Sequence, residues 1–288
     1  MRFIDMSAVT IPTTWQQQAR TNNFSPVWSY LKTTLESIVG KKCWYNESIN
    51  DGSSNPVDHF RPKTAAVKVL TSKYAVLENA VWSQLFSQAQ TGYPFLEFEA
   101  SNYRYASGFA NSAHMRESTD GITRGKWDFF PIRAGTSPAT SIQNLSLEEN
   151  ALLDPCHDGD PELVEFNEFG GVDPSTSVLT HSWDYCRVKV SIEVYNLTYY
   201  VLANKRRESW ETCERNINLM TLLYNKPNKS PEEQLSFDHL FADLIKSLSK
   251  KTEYSAVFID CIKNFKTRKD STVYKWLTDE IPTVLLKK

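Results

Sequence analysis

A carboxylate, an imidazole and two cationic side chains stand close together in the string VDHFRPK of residues 57–63. Asp58 and His59, leaving a short strand together, would place a carboxylate beside an imidazole. A carboxylate can hold a divalent cation that stabilises charge during phosphodiester hydrolysis, and an imidazole can take a proton from the attacking water. Arg61 and Lys63 are candidates to hold a phosphate backbone. The string therefore indicates phosphodiester chemistry, with a structural role for His59 as the alternative.

Two asparagines follow in the segment NYRYASGFANSAH, which begins at Asn102 and has Asn111 nine residues later. The order Asp-His, Asn, Asn resembles that of the HNH endonucleases. In that family the Asp-His pair ends a strand, and the final Asn or His starts a metal-facing helix. The resemblance implies that Asp58 and Asn111 bind a metal ion. It also implies that His59 is the general base and that Asn102 braces the loop that orients it.

Further segments resemble one subgroup, the bacterial anti-phage HNH proteins of the Septu type, also found beside some retrons. These segments are CWY at 43–45, DHFRPK at 58–63, GYPFLEFEASNY at 92–103, Phe130-Pro131, and LLDPCHDGDPE at 152–162. The resemblance implies a nuclease of an anti-phage system that cuts nucleic acid, with DNA as the expected substrate. It also implies Mg²⁺ or Mn²⁺ as the cofactor and an ABC-type ATPase as partner protein.

Two features of these relatives are altered here. Many have a phosphate-contacting Lys three places after the final Asn, where this chain has His114, and Lys126 is a second candidate for that contact. Relatives also commonly hold a structural zinc with two CxxC pairs. The corresponding strings here are CWYN at 43–46 and SGFA at 107–110, so only Cys43 remains of four ligands. We therefore expect no structural zinc, and aromatic packing in its place.

Composition limits the other possibilities. The formal net charge is −2 over 288 residues, which gives no general basic surplus for nucleic-acid binding, although a local basic groove remains possible. The N-terminus has no apolar run typical of a signal peptide, and no stretch approaches the length of a transmembrane helix, so we expect a cytoplasmic protein without a membrane partner. Five cysteines without regular spacing do not suggest a disulfide framework.

The helices and strands expected to position these residues are predicted from the periodicity of apolar residues and from residues typical of turns and helix ends. Residues 12–40 predict two helices, residues 73–90 another, and YPFLEFEA a short strand. After about residue 150 the pattern predicts a hairpin at a Gly-Gly pair and then helices at about 186–224, 231–250, 253–266 and 270–280. The acidic string at 152–162 is interpreted as a turn rather than a metal cluster.

We therefore expect an α+β protein. Residues 1–150 would form an HNH (ββα-metal) nuclease domain with helical decorations, and residues 151–288 a mostly helical C-terminal interaction domain. The alternative is a catalytically inactive subunit that keeps the HNH fold as a scaffold. The presence of all four residues of the Asp-His, Asn, Asn set favours the nuclease.

Overall fold

The computed structural model describes residues 1–21, 31–49, 55–64, 77–85, 91–112, 124–267 and 272–288. Short strands and helices are mixed within these ranges, so the predicted α+β class is confirmed. The described residues before 113 include four α-helices: α1 (Thr13–Thr21), α2 (Lys32–Val39), α3 (Asn79–Trp82) and α4 (Gly108–Asn111). Those after 180 include five more: α5 (Trp183–Val194), α6 (Tyr200–Tyr224), α7 (Pro231–Ser247), α8 (Ser255–Thr267) and α9 (Lys275–Glu280).

The described strands form two antiparallel pairs. β1 (Val57–His59) pairs with β2 (Tyr103–Tyr105), and β3 (Val164–Phe166) pairs with β4 (Val172–Pro174), the latter across the predicted Gly-Gly hairpin. In the first pair Asp58 lies opposite Arg104 and His59 opposite Tyr103. Successive side chains of a strand point to opposite faces. Asp58 is accordingly buried, whereas His59 is half-buried.

The predicted helix over 186–224 is wrong in one respect, because it is two helices. α5 ends at Val194 with Tyr195 as its C-cap, and Asn196 adopts a left-handed backbone conformation with φ of 52°. The Leu197 N–H then donates to the Ile192 carbonyl at 2.8 Å, and the Asn196 N–H to the Glu193 carbonyl at 3.1 Å. This is the Schellman arrangement, in which Asn can take the place of Gly.

The predicted strand YPFLEFEA is also wrong. Its Pro94 begins a short 3-10 helix, Pro94–Leu96, and the Leu96 N–H donates to the Tyr93 carbonyl at 2.9 Å. Proline has no N–H to donate to a strand neighbour and its φ suits a turn. Of the helix predicted over 73–90, the described part is α3 within residues 77–85, and the rest lies outside the described residues.

The later helices begin where side chains cap them. Ser230 accepts a hydrogen bond from the Glu233 N–H while the Glu233 carboxylate accepts from the Ser230 N–H, and Pro231 occupies the first turn of α7. This capping box satisfies two backbone donors that a helix start leaves open. The Ser182 side chain likewise accepts from the Tyr185 N–H at the start of α5. Such local signals explain why the helical C-terminal region was predictable.

The division of the chain at residue 150 stays a prediction, but the core runs across it. One apolar cluster contains Cys43 and Phe60 together with Val188, Tyr195 and Trp276.

Within the described part of the chain, no helix combines the length and apolar character needed to cross a membrane.

Candidate active site

One pocket of about 220 Å³ brings four of the sequence-predicted residues together. Asp58, His59 and Asn111 all line it, and Lys63 lies at the same pocket. Asn111 is the last residue of α4 in the described chain, rather than the first residue of a helix. The pocket thus collects residues from β1, from the loop that follows it and from α4.

The His59 imidazole is oriented by the segment that precedes β2. Its Nε2 lies 3.0 Å from the Glu97 carbonyl oxygen, and its ring meets the Tyr103 ring edge-to-face at 5.0 Å. A carbonyl only accepts, so Nε2 carries the hydrogen and Nδ1 carries the lone pair in the neutral ring. Burial lowers the pKa of His59 below its ordinary value of 6.5. The ring is therefore neutral at pH 7 and chemically able to accept a proton at Nδ1.

Asn102 fixes the chain directly after His59. Its side-chain oxygen accepts from the Arg61 N–H at 2.8 Å, and its amide donates to the Arg61 carbonyl at 2.9 Å. In addition, the Phe60 N–H donates to the Asn102 carbonyl at 2.8 Å. One buried side chain thus satisfies both backbone groups of a residue two places beyond the imidazole. This is the contact that a bracing role for Asn102 requires.

Asp58 is enclosed by two donors. The Lys126 ammonium lies 2.9 Å from its Oδ1, and the Tyr45 hydroxyl donates to its Oδ2 at 2.5 Å. Burial raises the pKa of Tyr45 well above its ordinary value of 10.0, so this hydroxyl keeps its proton. Lys126 also donates to the His59 carbonyl at 2.7 Å and is 0% exposed, against 4% for the Asp58 side chain. Lys126, predicted to contact phosphate, instead neutralises Asp58 from the interior.

The other residues predicted to contact phosphate are Arg61, Lys63 and His114. Arg61 lies outside the pocket, where its Nε donates to Glu148 at 3.0 Å and its guanidinium packs over the Phe130 ring. Lys63 lines the pocket and forms an ion pair of 2.7 Å with Glu97. His114 lies outside the described residues.

The four positions where relatives carry zinc ligands are all buried, and one hydrogen bond joins the two strings that contain them. Cys43 and Ala110 are fully buried, and the Asn46 amide donates to the Ser107 hydroxyl at 3.2 Å across the two strings. The Ser107 hydroxyl also caps α4 by accepting from the Ala110 N–H at 3.2 Å. A polar contact therefore joins the two strings, a feature that the expected aromatic packing did not anticipate.

Two pocket residues were missed by the sequence analysis. Trp127 and Asp128 line the pocket. Their segment is bonded to α4, because the Lys126 N–H donates to the Ala110 carbonyl and the Trp127 N–H donates to the Asn111 carbonyl. Trp127 is 52% exposed and has a positive φ of 40°. Burial raises the pKa of Asp128. No sequence motif marks Trp127 and Asp128 as site residues, because their position depends on the backbone hydrogen bonds to α4.

The strand pair, the capped helix and the pocket belong to an α+β protein in which a half-buried histidine lies beside a buried carboxylate. No family model matches the chain. A stretch of 145 residues, 49% of this chain, is 28% identical to the Septu protein PtuB of Bacillus mycoides (strain KBAB4). The match spans 39% of that protein's length. The chain is thus similar to part of a Septu protein.

Proposed function

We propose that this chain hydrolyses phosphodiester bonds in nucleic acid, with DNA as the expected substrate and His59 as the general base. The observation that carries the proposal is the single pocket lined by Asp58, His59 and Asn111. The lowered pKa of His59 and the hydrogen bond from its Nε2 to Glu97 favour a neutral ring whose Nδ1 can accept the proton of a water molecule. Asn102 acts through the backbone as a positioning residue.

An HNH-type ββα unit is the arrangement we propose for this site. The order β1, β2, α4 supports it, as does the burial of Cys43, Asn46, Ser107 and Ala110, the positions where relatives carry zinc ligands. The hydrogen bond between Asn46 and Ser107 joins the two distant strings and is not required by the pocket itself. It is therefore support independent of the catalytic residues.

The expected Mg²⁺ or Mn²⁺ fits this arrangement poorly. Carboxylate and amide oxygens are suitable ligands for such hard cations. Both oxygens of Asp58, however, already accept hydrogen bonds from Lys126 and Tyr45. In the described ranges, no group of three or more His, Cys, Asp and Glu side chains could hold a metal ion. The proposal therefore rests on His59, and metal dependence is left to experiment.

For biological role we propose anti-phage defence together with an ABC-type ATPase partner. Similarity to the Septu protein PtuB supports the first part, and the motif resemblance supports the second. The formal net charge of −2 suits a protein that binds DNA weakly by itself and depends on a partner for delivery.

A nicking assay tests the proposed activity. Supercoiled plasmid is incubated with the purified chain and Mg²⁺ or Mn²⁺, with and without chelator, alone and together with the proposed ATPase partner. His59→Ala serves as the inactive reference. Cutting that requires His59 supports the nuclease. Absence of cutting under every condition, with the ATPase complex formed, favours the inactive scaffold subunit.

Rebuilding the zinc site tests the ββα arrangement without any activity measurement. The variant with Asn46→Cys, Ser107→Cys and Ala110→Cys joins Cys43 in a four-cysteine set. We expect it to bind one zinc ion per chain, measured by elemental analysis after desalting, because structural zinc takes four tetrahedral thiolates. The same three substitutions with Cys43→Ser are the control and should bind zinc more weakly. Equal zinc content in the two proteins would contradict the arrangement.

Trp127→Ala should weaken binding of single-stranded oligonucleotides by about 5- to 150-fold, because stacking of a base on an aromatic ring contributes about 1–3 kcal/mol. The ring is half exposed at the pocket that contains His59. Fluorescence anisotropy with a labelled oligonucleotide measures the effect. Phe169→Ala is the matched control, because Phe169 is an exposed aromatic that does not line this pocket. Equal losses of affinity in both variants would show that Trp127 is not part of the binding surface.

A further inference from the structure

The ion pair between Lys126 and Asp58 stands where the resemblance places a metal ion. The ammonium contacts Oδ1 of Asp58 and the carbonyl of His59, at 2.9 Å and 2.7 Å. Both ends of the pair are shielded from solvent. Lys126 is therefore a component of the proposed active site that contacts the backbone of the base and the side chain of the expected ligand.

Backbone contacts fix the position from which Lys126 reaches Asp58. Its N–H donates to the Ala110 carbonyl at 2.8 Å, at the end of α4. The next residue is bonded to Asn111, which lines the pocket. The segment that carries Lys126 is thus hydrogen-bonded to the short helix that supplies the second expected metal ligand.

The charged groups around the pocket indicate that the Lys126 ammonium balances the charge of Asp58. Lys126 offsets Asp58, and Lys63 is paired with Glu97. Asp128 is the other carboxyl residue lining the pocket. A divalent ion on Asp58 would meet a buried ammonium within a few ångströms, and in a poorly solvated site such repulsion is strong. Asp58 can therefore balance one of the two cations well, but not both.

We propose that Lys126 is the resident cation of Asp58 and competes with divalent metal ions for this carboxylate. The inference rests on the proposed function, because it concerns regulation of the same site. Metal ions gain access to Asp58 to the extent that the ammonium leaves it. A substrate phosphate or partner protein that attracts Lys126 would favour metal binding, and occupancy by Lys126 would keep the site metal-poor.

Lys126→Met provides the main test, since methionine keeps an unbranched side chain and removes the charge. Binding of Mn²⁺ alone is followed by electron paramagnetic resonance for the wild type and the variant at pH 7.5. We expect Lys126→Met to bind Mn²⁺ at least tenfold more tightly. Without metal its melting temperature should fall, because Asp58 is left buried and uncompensated. Added Mn²⁺ should restore much of this loss.

Two controls isolate the competition. Lys42→Met removes the lysine of another buried pair, Lys42–Glu47, which lies away from this pocket. It should lower the melting temperature without a gain in Mn²⁺ affinity. Lys126→Met combined with Asp58→Asn removes both charges and should lose the gain. If Lys126→Met does not fold, Lys126→Gln replaces it, because a shorter amide can still donate a hydrogen bond.

The proposal is overturned if a folded Lys126 variant binds Mn²⁺ no more tightly than the wild type. It is also overturned if the gain persists in the double variant, because the ion is then held without Asp58. A gain in affinity that depends on Asp58, in a protein that never nicks DNA, supports the competition while it counts against the nuclease. The binding and nicking assays thus separate the two failures.

Discussion

His59→Ala is expected to reduce plasmid nicking by about 10²- to 10⁴-fold, the contribution of a positioned general base. The imidazole is half-buried in the pocket with Asp58 and Asn111, and Nδ1 carries its lone pair. Truncation removes the hydrogen bond to Glu97 and the contact with the Tyr103 ring, so we expect a loss of about 1–3 kcal/mol in the free energy of unfolding. Nicking rates and thermal melting of the same preparation measure the two effects.

The pH profile adds a signature that a structural histidine would not give. Because burial lowers the pKa of His59, the base stays neutral somewhat below pH 6.5. The wild-type rate should therefore remain on its plateau at neutral pH and fall only as the pH drops through this lowered value. His239→Ala is the control, because His239 is an exposed histidine on α7. Full activity of folded His59→Ala would place the base elsewhere, and inactivity through unfolding alone would make His59 a core residue.

Arg104→Met is expected to lower the free energy of unfolding by about 3–5 kcal/mol, because it leaves the Asp154 carboxylate largely buried without its counter-charge. Arg104 contacts both carboxylate oxygens of Asp154, at 2.7 and 2.6 Å, and is 4% exposed. The neighbouring Asp154 charge raises the pKa of Arg104 although burial opposes its charged form. Urea unfolding followed by circular dichroism measures the loss.

Arg133→Met is the matched control for this prediction. Its ion pair with Glu149 has a similar distance, 3.0 Å, but both side chains are over 40% exposed. Exposed pairs contribute about 0–1 kcal/mol. Similar losses in the two variants would show that burial of the Arg104 pair carries no special weight in joining β2 to the region after residue 150.

Local sequence signals were enough for the helical part of the chain. Ser230-Pro231 with Glu233 forms a capping box at the start of α7, and the Gly-Gly pair lies between β3 and β4, as predicted. The two wrong secondary-structure predictions also have local causes. The turn at Asn196 and the 3-10 helix at Pro94 interrupt apolar patterns that look continuous. Periodicity reports the buried face of a segment, but a single left-handed residue or proline decides where that segment ends.

Part of the site was also accessible from sequence. The order of Asp58, His59, Asn102 and Asn111 was enough to predict that three of them share a pocket and that Asn102 supports the loop. Their proposed roles in catalysis and metal binding stay predictions. Trp127 and Asp128 escaped notice because their nearness to His59 arises from backbone hydrogen bonds to α4.

The sequence by itself determined the α+β class, the order of the chemical groups and the helical character of the later region, because these depend on residue type and short-range spacing. Tertiary structure alone decided the electrostatic state of the site. Lys126 lies 68 residues from Asp58 along the chain, and Arg104 lies 50 residues from Asp154. No local pattern encodes such pairs, because a buried charge takes its partner from whichever segment the fold brings within a few ångströms.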